Sequence, residues 1–271
     1  MTTSSQAAPV EMTSGPPILS ISGHRADVRL NRPAQHNRLE NADIALLIQH
    51  FAAIEATDDV RVMVLTGTGP SFCSGYDLGT LNRSAAAGTA GTEQRGSGFA
   101  ELTDRLEALR VPTICALNGG VFGGGTDLAL ACDFRIATAR CRMFMPAAKI
   151  GLQYYPGGLR RYVTRLGLGA AKKLFLTADP IDASEMLSIG YLDEVVEDGE
   201  LAARVDRLAE TLAGNAPLSV QGMKKALNDI ARADLDEGAA FAAHLNTRKS
   251  EDVREGLAAM REKRKPQFKG R

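Results

Sequence analysis

Apolar positions come in short bursts along the first two-thirds of the chain and recur at helical spacing in the last third. Ile18 to Leu30 predicts two short strands around Ser22 and Gly23, and NRPAQHNRL from Asn31 to Leu39 then breaks regular structure. Ile44, Leu47, Ile48, Phe51 and Ile54 fall on one helical face, and Val60 to Thr66 reads as a buried strand. Helix followed by buried strand is α/β alternation. After the loop GTGPSFCSGYDL, Asn82 to Gly98 is reduced to small and polar residues, as a surface loop over a pocket would be. Glu101 to Leu109 predicts a helix and Val111 to Leu117 a strand. Phe134 to Ala137 and Cys141 to Met145 predict further strands. A turn at Pro156 leads into a helix through Arg165, followed by a short helix from Ala170 to Thr177. Beyond Val196 only helical patterns remain, over Leu201 to Ala213, Ser219 to Ala231, Leu235 to Arg248 and Glu251 to Lys263. The division expected is a disordered tail over 1–15, a strand-and-helix core over 16–199, and a helical oligomerisation region over 200–271.

Composition narrows the functions open to the chain. Its 271 residues carry 32 basic and 32 acidic side chains, so no global field draws it to nucleic acid or an anionic membrane. The opening residues lack the basic and apolar runs of a signal peptide, and no long apolar span follows. Cys73, Cys115, Cys132 and Cys141 stand singly in apolar surroundings, which suits a reducing, cytoplasmic location. HExxH and clustered Cys/His ligands are absent, so no metal is expected.

Chemistry concentrates in Gly119 to Asp133, where five glycines in seven residues run straight into apolar, helix-forming residues. A helix start presents unpaired N–H groups and partial positive charge, so a group there carries or develops negative charge. Phe72 to Asp77 and Phe122 to Asp127 share a design, since each follows a buried strand and brings small residues to its end. Backbone N–H groups converging from both would form an oxyanion hole, which stabilises a carbonyl oxygen that gains charge. A serine hydrolase using Ser74 is a poor alternative, because GxSxG is absent and no histidine lies in either loop.

These segments carry a resemblance to the crotonase superfamily, the enoyl-CoA hydratase/isomerase family. NRPAQHNRL, VMVLTGTGPSFCSGYDL, ICALNGGVFGGGTDLALACDFRIAT, MPAAKIGL and EGLAAMREKRKPQFKGR resemble it in order, over nearly the whole chain after the tail. The resemblance implies a crotonase-type spiral of ββα units with a C-terminal helical trimerisation region, assembled as a homotrimer or a dimer of trimers. It implies an acyl-CoA thioester as substrate, with coenzyme A as part of that substrate and no further cofactor. It places the enolate oxygen between the amides of Ser74 and Gly124. It puts Gln35, His36, Arg38, Gly75, Tyr76, Asp77 and Leu78 on the CoA side, with Phe122 also in the substrate site.

Departures from the family pattern restrict the reaction. Asp127 stands where hydratases of the family carry a carboxylate, but their second Glu falls at Ala147, and alanine cannot move a proton. Ordinary hydration is thereby placed in doubt, and isomerisation, decarboxylation and hydration by an unusual acid/base set all fit; a catalytically weakened acyl-CoA-binding protein is the alternative. Asp127, Tyr154 and Tyr155 are the expected catalytic groups. A first-turn carboxylate that merely favours the helix dipole, and tyrosines that merely line a pocket, are the structural readings set beside them. Arg160 and Arg161 read as surface arginines that pair with carboxylates of a neighbouring subunit. The basic cluster Lys263, Arg264, Lys265 and Lys269 either approaches a CoA phosphate or is a solvated end.

Overall fold

The computed structural model describes residues 14–77, Gly79 and residues 98–271. Leu78, most of the expected tail and the expected surface loop up to residue 97 lie outside the described residues.

The chain opens with a hairpin, β1 (Ile18–Ser22) and β2 (Arg25–Leu30), and a helix, α1 (Asn41–Glu55). Three strand–strand–helix units follow. The first is β3 (Val62–Gly67), β4 (Ser71–Cys73) and α2 (Phe99–Ala108). The second is β5 (Thr113–Leu117), β6 (Gly120–Phe122) and α3 (Gly124–Ala131). The third is β7 (Phe134–Thr138), β8 (Arg142–Phe144) and α4 (Pro156–Lys172). Each unit lays its first strand into one sheet and its second into another, which makes this the expected spiral of ββα units.

With β9 (Ile181–Asp182), the helix α5 (Ala183–Ser188) and β10 (Glu194–Val196), the strand orders are β1-β2-β3-β5-β7-β10 and β4-β6-β8-β9. Apart from the hairpin strand β1, the larger sheet is parallel, and such sheets are covered on both faces. Alternation along β3 shows this: Met63 and Leu65 join the main core, whereas Val62 and Val64 face a second cluster with Ile114, Ala116 and Ile136. That second face is closed by α6 (Leu201–Ala213) through Val205 and Ala209. The first helix after residue 199 is therefore a layer of the core as well as part of the helical region. Among the described residues the α-helices after α6 are α7 (Pro217–Arg232), α8 (Glu237–Lys249) and α9 (Glu251–Glu262).

Two short strands, β4 and β6, occupy stretches that read as loops. At three residues each they are too short for a period-2 pattern to emerge. Where the chain crosses between the sheets, backbones nearly touch: a side chain at Gly119 would place its Cβ 2.0 Å from the Pro70 carbonyl oxygen. The two helices expected on either side of residue 168 are separated within α4 at Gly167 (φ 80°, ψ 160°), where the backbone leaves helical geometry, and the second runs on into a π-turn over Lys173–Thr177.

Candidate active site

The bend after β2 builds one wall. His36 and Asn37 both adopt left-handed backbone, and the buried Asn37 amide donates to the Thr68 and Ser71 carbonyls at 2.9 and 2.8 Å. The bend then runs beside the Phe72–Asp77 loop. Leu39 N donates to Gly75 O (2.9 Å), Asp77 N donates to Leu39 O (3.0 Å), and His36 Nδ1 lies 2.9 Å from Ser71 Oγ. Arg38 pairs with Asp77 at 3.3 Å, and the Tyr76 hydroxyl donates to Asn41 Oδ1 at 2.6 Å. With Ser74 Oγ donating to Gln35 O at 3.2 Å, Gln35, His36, Arg38, Gly75, Tyr76 and Asp77 are thus brought to one place.

The same contacts overturn one expectation. Ser74 N–H donates to His36 O at 2.8 Å, so this amide is committed to the bend and does not face a substrate oxygen in this structure. The loop approaches the glycine helix one residue later. At Gly75 (φ 91°) an added Cβ would lie 2.7 Å from Gly124 N and 2.8 Å from Phe122 O, so only glycine lets the two backbones meet. Gly124 opens α3, and its N–H therefore has no carbonyl one turn back within the helix to bond. The Phe99 ring lies over Gly124, with Cζ 3.0 Å from the position of an added Cβ.

Asp127, in the first turn of α3, is fully buried and is not a simple dipole-capping carboxylate. Arg161 Nη1 donates to its two oxygens at 2.9 and 2.8 Å, and the Tyr155 hydroxyl donates to Oδ2. Arg161 itself is fully buried. Its Nη2 reaches Asp104 (2.8 Å) and its Nε reaches Glu107 (3.2 Å). The expectation that Arg161 serves a neighbouring subunit is corrected: its partners are carboxylates of its own chain, reached because α4 packs across α2 and α3. Arg160, partly exposed, likewise meets Glu107 at 3.0 Å.

Burial pushes the Asp127 carboxyl up from the ordinary range, against the pull of Arg161 and Tyr155. Burial acts against Glu107 too, but Arg161, Arg232 and Arg165 around it hold it at about 2. Tyr155 Oη lies 2.8 Å from Thr103 Oγ1, and burial followed by the Asp127 charge raises its pKa. Tyr154 stacks on Tyr155 and Phe175, with ring centroids 4.8 and 5.2 Å away. Its hydroxyl is buried without a hydrogen-bond partner among the described residues, and burial raises its pKa as well. Ala147 is buried in the main core and carries no proton-transferring group.

Arg161, Glu107, Thr103 and Phe99 were not singled out as functional residues from sequence. A usable signal exists for the arginine: 161 and 165 are one turn apart and share a helix face with the buried Gly158. Glu107 beside the buried Leu106 is the matching cue on α2. The basic tail does not stand free, since Arg264 pairs with Glu255 and Glu262 at 2.5 and 2.6 Å and Phe268 O accepts from Arg61. Among the described residues no group of His, Cys, Asp and Glu is arranged to hold a metal ion, and no helix is long and apolar enough to cross a membrane.

A spiral of ββα units with a helix start pressed against a strand-end turn defines the crotonase class of fold. Residues 22–271 match the family described as Enoyl-CoA hydratase/isomerase, and the chain belongs to that family. It is 34% identical over 258 residues to the short-chain-enoyl-CoA hydratase of Clostridium acetobutylicum, covering 94% of this chain and 98% of that protein. It is 32% identical over 244 residues to the 2,3-dehydroadipyl-CoA hydratase of Escherichia coli, covering 89% of this chain and 94% of that one. Among solved structures, enoyl-CoA hydratase from Bacillus anthracis superposes with a TM-score of 0.81 at 29% identity, covering 95% of this chain and all of that one, 100%.

Proposed function

We propose that this chain is an acyl-CoA enzyme that forms a thioester enolate and holds its oxygen on backbone amides. The observation that carries this reading is the contact of Gly75 with Gly124, which brings a helix-start N–H against the turn that ends β4. Gly124 supplies one donor. The turn at Gly75 and Tyr76 supplies the other, in place of Ser74, because that turn is what abuts Gly124. Removing one such donor costs about 3 kcal/mol of transition-state stabilisation in comparable sites.

Asp127, Tyr155 and Tyr154 supply the proton chemistry. With Ala147 in place of a second carboxylate, isomerisation or decarboxylation fits the site better than hydration by paired carboxylates. No cofactor beyond the coenzyme A of the substrate is required. The protein acts in the cytoplasm, as its single buried cysteines suit. The stripe Met223, Leu227 and Ile230 on α7, 58–66% exposed, and Phe241 on α8, 62% exposed, support assembly into a homotrimer or a dimer of trimers.

The test is turnover of a panel of enoyl-, dienoyl- and malonyl-type CoA esters, read by mass spectrometry alongside exchange of the α-hydrogen with solvent deuterium. Product or exchange is expected with at least one ester. Gly75→Ala, which drives a methyl into Gly124 N, should lower the rate at least ~100-fold. Bound esters with neither turnover nor exchange would instead establish the second reading, a catalytically weakened acyl-CoA-binding protein. That reading is favoured by Ala147 and by the complete burial of Asp127 against Arg161.

A further inference from the structure

The buried cluster around Asp127 assigns roles that the sequence does not separate. Arg161 uses all three guanidinium nitrogens on carboxylates, with Nη1 on both oxygens of Asp127, Nη2 on Asp104 and Nε on Glu107. Glu107 is in turn held by Arg232 of α7, and its main-chain carbonyl accepts from Asn228 at 2.9 Å. Asp127 therefore cannot swing towards a substrate without breaking a buried ion pair. Its Oδ2 receives one further group, the Tyr155 hydroxyl. Tyr155, unlike Asp127, is only partly buried. Its ring meets Phe99 edge-on with centroids 6.2 Å apart, and the Phe99 ring packs beside Gly124, with Cζ 3.0 Å from the position of an added Cβ. Of the two residues, Tyr155 is the one that keeps some exposure and that packs against Phe99.

We propose that Arg161 is a positioning residue which locks the Asp127 carboxylate onto Tyr155, so that Tyr155 exchanges the proton with substrate and Asp127 is its internal acceptor. The proposal rests on the enolate reading given above. In the forward step the α C–H bond of the acyl thioester breaks and its electron pair moves into the enolate, whose oxygen lies at Gly124. The proton bonds to Tyr155 Oη, while the proton Tyr155 held passes to Asp127 Oδ2. The reverse step returns a proton through the same pair. Asp127 becomes neutral in between, and Asp104 and Glu107 continue to balance the Arg161 charge. A fixed carboxylate thus acts at a distance through a phenol, and the vacancy at Ala147 does not prevent proton abstraction.

The experiment measures α-hydrogen exchange in deuterium oxide for wild type, Tyr155→Phe, Asp127→Asn and the double variant, with the dissociation constant of an unreactive CoA thioether measured beside it. Tyr155→Phe should lower exchange ~100-fold or more with thioether binding unchanged within ~3-fold, and the double variant should be no slower than Asp127→Asn alone, because the two act as one unit. Arg161→Lys keeps the charge but loses the fork, and should lower exchange at least ~10-fold without loss of binding. Should that variant fail to fold, Tyr155→Phe alone decides. Exchange retained in Tyr155→Phe would overturn the relay while leaving the enolate reading intact. No exchange in wild type with any bound ester would overturn the enolate reading itself.

Discussion

Two ionic clusters in this molecule use the same side chains in opposite surroundings. In the first, Glu107, Arg161 and Asp127 are almost wholly removed from water. In the second, Arg264 joins Glu255 and Glu262 at the C-terminal end, with side-chain exposures of 41%, 23% and 58%. Their N–O separations are similar, 2.5–2.6 Å at the surface and 2.8–3.2 Å inside. Distance therefore says little about what each pair does. Inside, neither partner can fall back on water, so each charge exists only while its partners are in place. At the surface water replaces a lost partner, and dissolved salt weakens what remains.

Breaking the contrast begins with Arg161→Met, the largest expected effect. It strands Asp127 in an apolar interior, while Glu107 keeps Arg160, Arg165 and Arg232, and should cost about 3–5 kcal/mol in urea unfolding, or prevent folding. A loss below about 1 kcal/mol would show that water reaches the cluster. Adding Asp127→Leu to that variant should restore part of the lost stability, since it removes one stranded charge.

Glu107→Gln addresses the same cluster through pH. A carboxyl held at about 2 stabilises the fold fully above its unfolded value of roughly 4.3, and that contribution is lost as pH falls towards 2. The variant should therefore show a flatter decline of Tm than wild type between about pH 4 and pH 2. An identical decline would mean that Glu107 is no better stabilised as an anion in the fold than in the unfolded chain. The smallest effect belongs to Arg264→Ala, for which Tm at moderate salt should match wild type within error. A large loss there would erase the distinction between the clusters.

Much of this was legible in the sequence, for reasons that differ by element. The strand and helix at Val111 to Ala131 were readable because the apolar run and the glycines mark a buried strand end and a helix start. The convergence of the two loops followed from their shared design. Which amide of the first loop faces the helix did not follow, because Ser74 is claimed by the carbonyl of His36, and a contact so distant in sequence leaves no local pattern. Arg161 was misread for a related reason. An arginine on an amphipathic helix looks alike whether it meets solvent or three carboxylates, and the deciding residues, Asp104, Glu107 and Asp127, sit on two other helices. Asp127 was found by position, yet its dependence on Arg161 and Tyr155 is a property of packing.

The closing layer supplied by α6 has a consequence for how the chain is made. Until Leu201 to Ala213 leave the ribosome, Val62, Val64, Ile114, Ala116 and Ile136 form an uncovered oily surface on an otherwise finished sheet. Such surfaces invite aggregation during synthesis. A released chain truncated near residue 199 is therefore expected to need a chaperone, and one truncated past 213 to need it less.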